Sequence, residues 1–186
     1  MAQCRCVPVN SNVWQHSYMA TQDTATQIET YRQHFDSMYV GGIPCLLNDN
    51  GAFLSFLAVL AGTEALAGLY QPDARTGDRF RAFVSSYFPK ALAAHATDLW
   101  ALRNGMVHSF NPGPFVLTHH QSRLHLQAPQ GPTFLNAEDF YAALIAAAHS
   151  YFAELAVSPD LQASFVKRLS AKDGGAPQVG VLQQVQ

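Results

Sequence analysis

The chain has 186 residues, of which 48% are hydrophobic and only 13% charged. An average soluble protein carries about 25% charged residues, and apolar content this high can offset the ordering entropy, so whole-chain disorder is excluded. A net charge of −2 argues against a broadly basic nucleic-acid coat but leaves room for a local phosphate site.

Residues 1–20 show no clear period and are expected to form an extended or mobile segment. Cys4, Cys6 and Cys45 are an odd number, too few for a disulfide scaffold, and read as free thiols in a reducing compartment. The start has no apolar core of the signal-peptide type, so a cytoplasmic location is expected. A first helix is predicted from about Thr24 to Tyr39, stopped by Gly41-Gly42. A second starts near Asn48-Asp49-Asn50 and runs to about Tyr70, ahead of Pro72. Its apolar stretch, Ala52 to Tyr70, is long enough to suggest a membrane span. It also carries Glu64, with small polar or glycine breaks at Ser55, Gly62, Thr63 and Gly68. The expectation is a buried central helix and no membrane partner.

A third helix is predicted over Asp78–Phe88, where Phe80, Phe83, Val84, Tyr87 and Phe88 form one amphipathic stripe, before Pro89. A fourth covers about Leu92 to Phe110, ending before Pro112-Gly113-Pro114. Phe115 to Gln127 alternates weakly around a polar Gln121-Ser122 centre and predicts a small β-hairpin. Another helix starts at Asn136, with Glu138 and Asp139 favoured by the dipole of its first turn. Its stripe is Phe140, Leu144, Ile145, Ala148, Phe152 and Leu155. Ser158-Pro159 opens a last short helix to Lys172, closed by Gly174-Gly175. Residues 173–186 read as a flexible tail or an arm laid on a partner. The whole is an all-α bundle of about five to six helices over 21–172, with a hairpin inserted between the fourth and fifth.

One constellation stands out, on the fourth helix. At about 100° per residue, Leu102, Met106 and Phe110 fall within roughly 60° of Leu99 and make its core face. Asn104 and His108, four apart, lie on the opposite side with Thr97 and Ala101, and Gly105 sits at the margin. That face carries no charge, and its short side chains would let another helix approach closely. Arg103 falls inside the apolar arc. A guanidinium there needs a carboxylate or phosphate, and Glu64, the lone acid of the central helix, is the natural structural partner. Spacing alone leaves Arg103 open as a structural ion pair or a snorkelling arm, and His108 as an ordinary surface histidine.

The run Leu102-Arg103-Asn104-Gly105-Met106-Val107-His108 resembles the signature of the HEPN superfamily: arginine, a polar residue, three further residues, then histidine. With Phe83, Tyr87-Phe88-Pro89 and Phe110, it looks like an uncharacterised bacterial branch of that superfamily. The resemblance covers about Asp49 to Leu155. It implies a HEPN-like helical bundle, often dimeric. Its members include metal-independent endoribonucleases, toxins paired with antitoxins, and proteins with no demonstrated catalysis. Carried onto this sequence, it makes Arg103, Asn104 and His108 the catalytic residues. It implies no metal and no cofactor. Its implied partners are a second copy, an RNA or nucleotide, and an antitoxin protein.

Arg79 and Arg81, with Arg75, gather at the start of the third helix and could track a phosphate backbone; with Asp73 and Asp78 beside them they could equally be a solvated end. His119, His120 and His125 fall on the predicted hairpin, where neighbours point to opposite faces, so no zinc site is expected there. No Gly-rich phosphate loop and no G-x-S-x-G occurs. The competing reading is a non-catalytic helical module that binds a protein or a nucleotide.

Overall fold

A computed structural model describes residues 23–171, so the expectations for residues 1–20, the 173–186 tail, Cys4, Cys6 and Gly174-Gly175 lie outside the described residues. Helix α1 spans Thr24–Phe35, and the Asp23 carboxylate caps it by accepting the Thr26 N–H at 2.9 Å. The chain then widens into a one-turn π-helix, Asp36–Val40, closed by Gly41 N–H donating to the Asp36 carbonyl. A short 3₁₀ turn, Ile43–Leu46, leads to the central helix α2, Ala52–Tyr70.

Asn48 stands before α2, and its side-chain oxygen accepts the N–H groups of Asn50 and Gly51, both at 3.0 Å. Ten residues of α2 are buried, from Ser55 to Leu69. The buried hydroxyls of Ser55 and Thr63 donate to carbonyls of their own helix, Ala52 and Val59, so their polarity is satisfied locally. Gly62 is needed because the Tyr39 ring and Leu144 close on the backbone: an added Cβ would lie 3.0 Å from the ring. By length and composition α2 could cross a membrane, yet most of it is buried inside this bundle.

Helix α3, Thr76–Tyr87, buries Phe80, Phe83 and Val84 against α2. The predicted fourth helix is two elements. A single turn, α4 (Lys90–Ala93), is followed by α5 (Ala96–Ser109), with the break at Ala94-His95. His95 leaves helical geometry at φ −100°, ψ 18°. Leu92, Ala96 and Leu99 are all buried across the break, and their spacing of four and three hides it from the sequence.

The predicted β-hairpin is absent. Strand β1, Phe115–Thr118, pairs in parallel with β2, Thr133–Asn136, in the register Phe115 to Thr133 and Thr118 to Asn136. Parallel strands need a crossover, here the loop 119–132 with its 3₁₀ turn Ser122–Leu124. Buried Asn136 pins that loop. It accepts the Gln121 N–H at 3.0 Å, donates to Ser122 Oγ at 3.2 Å, and its own N–H reaches His125 Nδ1 at 3.2 Å. The polar Gln121-Ser122 pair is thus a tether to the next helix, not a hairpin tip.

Helix α6, Ala137–Leu155, packs its apolar stripe on α2 and α3. Helix α7, Pro159–Ser170, bends back by 105° after the Ser158 cap and covers α2 with Leu161 and Phe165. The described residues therefore form a helical bundle of seven α-helices with a small two-stranded parallel sheet at one side.

Candidate functional site: an arginine-lined cleft

A cleft of about 460 Å³ opens between α1, α2, α3, α5 and α7. Its apolar walls are Tyr31 of α1, the Leu57–Leu69 side of α2, Val107 of α5 and Leu169 of α7. Its charged residues are Glu64, Arg79, Arg103 and Arg168.

Arg103 is the most constrained of the three arginines. Its Nε donates to Glu64 Oε2 at 2.7 Å, and another guanidinium nitrogen donates to Asn104 Oδ1 at 3.3 Å. Its guanidinium carbon stands 5.5 Å from the centre of the Trp100 ring, within cation–π reach. Trp100 in turn needs Gly77, since a Cβ there would sit 2.9 Å from the indole nitrogen. The Arg103 and Glu64 side chains keep 25% and 23% of their surface exposed. The pair therefore lines the cleft instead of lying sealed in the core, which is where the apolar arc had put Arg103.

Arg79 comes from α3 and presents a buried Nε with no hydrogen-bond partner. Burial holds its guanidinium below the usual range, and the neighbouring charge of Arg168 adds to that, while Glu64 opposes it. Arg168, from the last turn of α7, lies over Gly68 of α2, whose missing Cβ would fall 3.5 Å from Arg168 Nε. Burial pushes the Tyr31 phenol up to about 12, partly offset by Arg168. Arg81 does not reach the cleft. It donates to Asp78 at 2.6 Å in an exposed pair one turn apart. Arg168 was not singled out in the sequence, where Lys167-Arg168 reads as basic charge at a helix C-terminus. The two residues diverge: Lys167 pairs with Asp73 at 2.6 Å, and Arg168 turns into the cleft.

His108 lies on the exposed side of the last turn of α5, next to Val107 of the cleft wall. Asn104 is half-buried, and its oxygen is engaged by Arg103, not by the imidazole. Just beyond, Phe110 adopts a left-handed conformation, φ 53°, and is 82% exposed. This turns the chain back so that Asn111 N–H caps the Gly105 carbonyl. A Cβ on Gly105 would meet the Asn111 carbonyl oxygen at 2.2 Å. Gly105 thus serves the helix's own end. Thr97 and Ala101 are exposed, so among the described residues no helix covers the small-residue face.

The histidines of the loop after β1 also differ from expectation. Without a hairpin, alternation does not apply, and the His119 and His120 rings lie 4.7 Å apart. His120 sits at φ 55°, its Nδ1 2.7 Å from Glu138 Oε1, and His119 Nε2 is 3.8 Å from Asp49 Oδ1. Asp49, His119 and His120 bring one ligand atom each within 4.8 Å of one another, a donor number that suits an open-sided metal site. Asp49 is 88% exposed, so this group sits on the rim of the molecule.

Comparison with protein-family models, with curated proteins and with solved structures finds no match to this chain.

Proposed function

We propose that this chain is a HEPN-like, RNA-directed protein: a metal-independent endoribonuclease that works as a dimer through Arg103, Asn104 and His108. The observation that supports it is the holding of Arg103. Its guanidinium is fixed by Glu64, Asn104 and Trp100 on a cleft wall, while His108 stands free on the same helix.

Cleavage of this kind uses the neighbouring 2′-hydroxyl as nucleophile on phosphorus. A base takes the hydroxyl proton, the P–O5′ bond breaks, and an acid protonates the departing oxygen. A fixed cation stabilises the charge that develops on the phosphoryl oxygens. Arg103 supplies the cation, and what remains for a phosphate is Nη2 with the second Nη1 proton, once Nε is held by Glu64 and Nη1 by Asn104. One protomer carries one motif histidine, so the acid and the base come from the His108 residues of two chains across a two-fold axis. Val107 and Phe110 flank His108 and are 51% and 82% exposed, an apolar margin that a second copy would cover. The resemblance adds an antitoxin-type protein as a further partner.

One observation favours a second reading, binding without cleavage. Glu64 already neutralises Arg103, and the cleft's uncompensated charge lies on Arg79 and Arg168 instead. The deciding experiment incubates purified protein with single-stranded RNA in EDTA and looks for 2′,3′-cyclic phosphate ends. Cutting by the wild type and loss in His108→Ala supports the nuclease. Binding with no cutting, unchanged in His108→Ala, leaves the binding module.

A further inference from the structure

We infer that Arg79 and Arg168 form a subsite for the phosphate group of a nucleotide, next to Arg103 in the same cleft. The inference rests on the RNA-directed reading for the source of the phosphate, and on the cleft alone for the chemistry.

Two guanidinium groups from α3 and α7 share one concavity, although like charges at short range repel. Such proximity costs free energy unless an anion sits between them. Among the described residues Glu64 is the one carboxylate of the cleft lining, and its direct bond is to Arg103. Neither the Arg79 nor the Arg168 guanidinium has a hydrogen bond or an ion pair among the described residues, and the Arg79 Nε is buried with no acceptor. A buried donor left unmade keeps the full penalty of its lost hydration. The fold accepts that cost, and Gly68 provides the space in which Arg168 lies over α2.

The acceptor that fits is a phosphate. One carboxylate has two oxygens, and a single bidentate arginine satisfies it. Two forks, with the N–H groups of Arg103 that Glu64 and Asn104 leave over, call for three or four acceptor oxygens on one centre. The cleft, about 460 Å³, is larger than the anion and lies within the size of small-molecule sites, about 300–1,000 Å³. Beside the arginines stand the Tyr31 ring and the side chains of Leu57 and Leu69, an apolar wall for the base or sugar that carries the phosphate.

The test is calorimetric titration of the full chain with adenosine 5′-monophosphate and with adenosine. The nucleotide is expected to bind and the nucleoside to bind at least about tenfold more weakly, because the phosphate carries the recognition. Arg168→Gln and Arg79→Gln should each weaken the nucleotide about tenfold or more, with melting temperatures checked to exclude misfolding; Arg168→Lys, which keeps the charge, should recover part of the affinity. Arg81→Gln, whose guanidinium pairs with Asp78 outside the cleft, should bind like the wild type. Competition with a short single-stranded RNA separates the sources: displacement of the nucleotide assigns the subsite to a strand phosphate, and lack of displacement assigns it to a free nucleotide. Equal binding of nucleotide and nucleoside, no binding of either, or full affinity in folded Arg79→Gln and Arg168→Gln overturns the subsite. The two readings fail separately: nucleotide binding by a protein that never cuts RNA ends the nuclease, while cutting by a protein that binds no nucleotide ends the subsite.

Discussion

Arg103 Nε lies 2.7 Å from Glu64 Oε2 and joins α5 to α2 across the mouth of the cleft. Each side chain is about three-quarters covered, which places the pair between the exposed limit, worth about 0–1 kcal/mol, and a sealed pair, where losing one partner costs about 3–5 kcal/mol. Replacing Glu64 with glutamine should therefore destabilise the fold by about 1–2 kcal/mol. The measurement is the urea midpoint of wild type, Glu64→Gln, Arg103→Gln and the double variant. Coupling near zero in that cycle would mean that the contact holds no part of the fold.

His108 is exposed, so its truncation should leave stability unchanged within about 0.5 kcal/mol. Cleavage of single-stranded RNA in EDTA should nevertheless fall by a factor of about 100 or more, the usual worth of proton transfer by a positioned group. A His108→Ala protein that melts early, or one that cuts RNA at the wild-type rate, contradicts this assignment.

Gly105 should tolerate no side chain. Alanine there places a Cβ 2.2 Å from the Asn111 carbonyl, against backbone that cannot swing away without undoing the helix end. Overpacking of this kind costs about 1–3 kcal/mol. Thermal melts of Gly105→Ala should show it. Ala101→Leu, on an exposed position of the same helix, should melt like wild type as a monomer. It should change the elution volume only if a second copy covers that face.

Stability should fall as pH drops from about 7 to 5. Burial holds the imidazoles of His125 and His34 below their ordinary range, so the folded chain prefers them neutral. For His125, Asp139 partly opposes this. Below the unfolded value of about 6.5 the unfolded chain binds more protons, and ∂ΔG/∂pH is positive. The contribution is thus complete above that value and is lost as pH falls toward the depressed folded value. His125 Nδ1 accepts the Asn136 N–H, which a protonated ring cannot do. Asparagine at position 125 keeps an acceptor and removes the titration, so the difference in urea midpoint between pH 7 and pH 5 should shrink. An unchanged difference would assign the slope to other groups.

Local signals in this chain were legible without coordinates. The apolar run of α2, the Phe80-Phe83-Val84 stripe of α3, the stripe of α6 and the Ser158-Pro159 start of α7 depend on spacing, caps and proline within one element. The Glu64–Arg103 contact was also accessible, because a guanidinium on an apolar arc has few acids to choose from. What the sequence did not contain is any signal that links distant segments. Parallel pairing of Phe115–Thr118 with Thr133–Asn136 is set by a crossover tethered through Asn136, and weak alternation imitated a hairpin. The break at Ala94-His95 was hidden because both halves bury residues at helical spacing. The cleft itself is decided only in three dimensions. Arg79, Arg103 and Arg168 belong to α3, α5 and α7, and they converge because each of those helices packs on α2. A residue's periodicity reports which side of its own helix it occupies; which charges meet in one cavity depends on how the helices pack together.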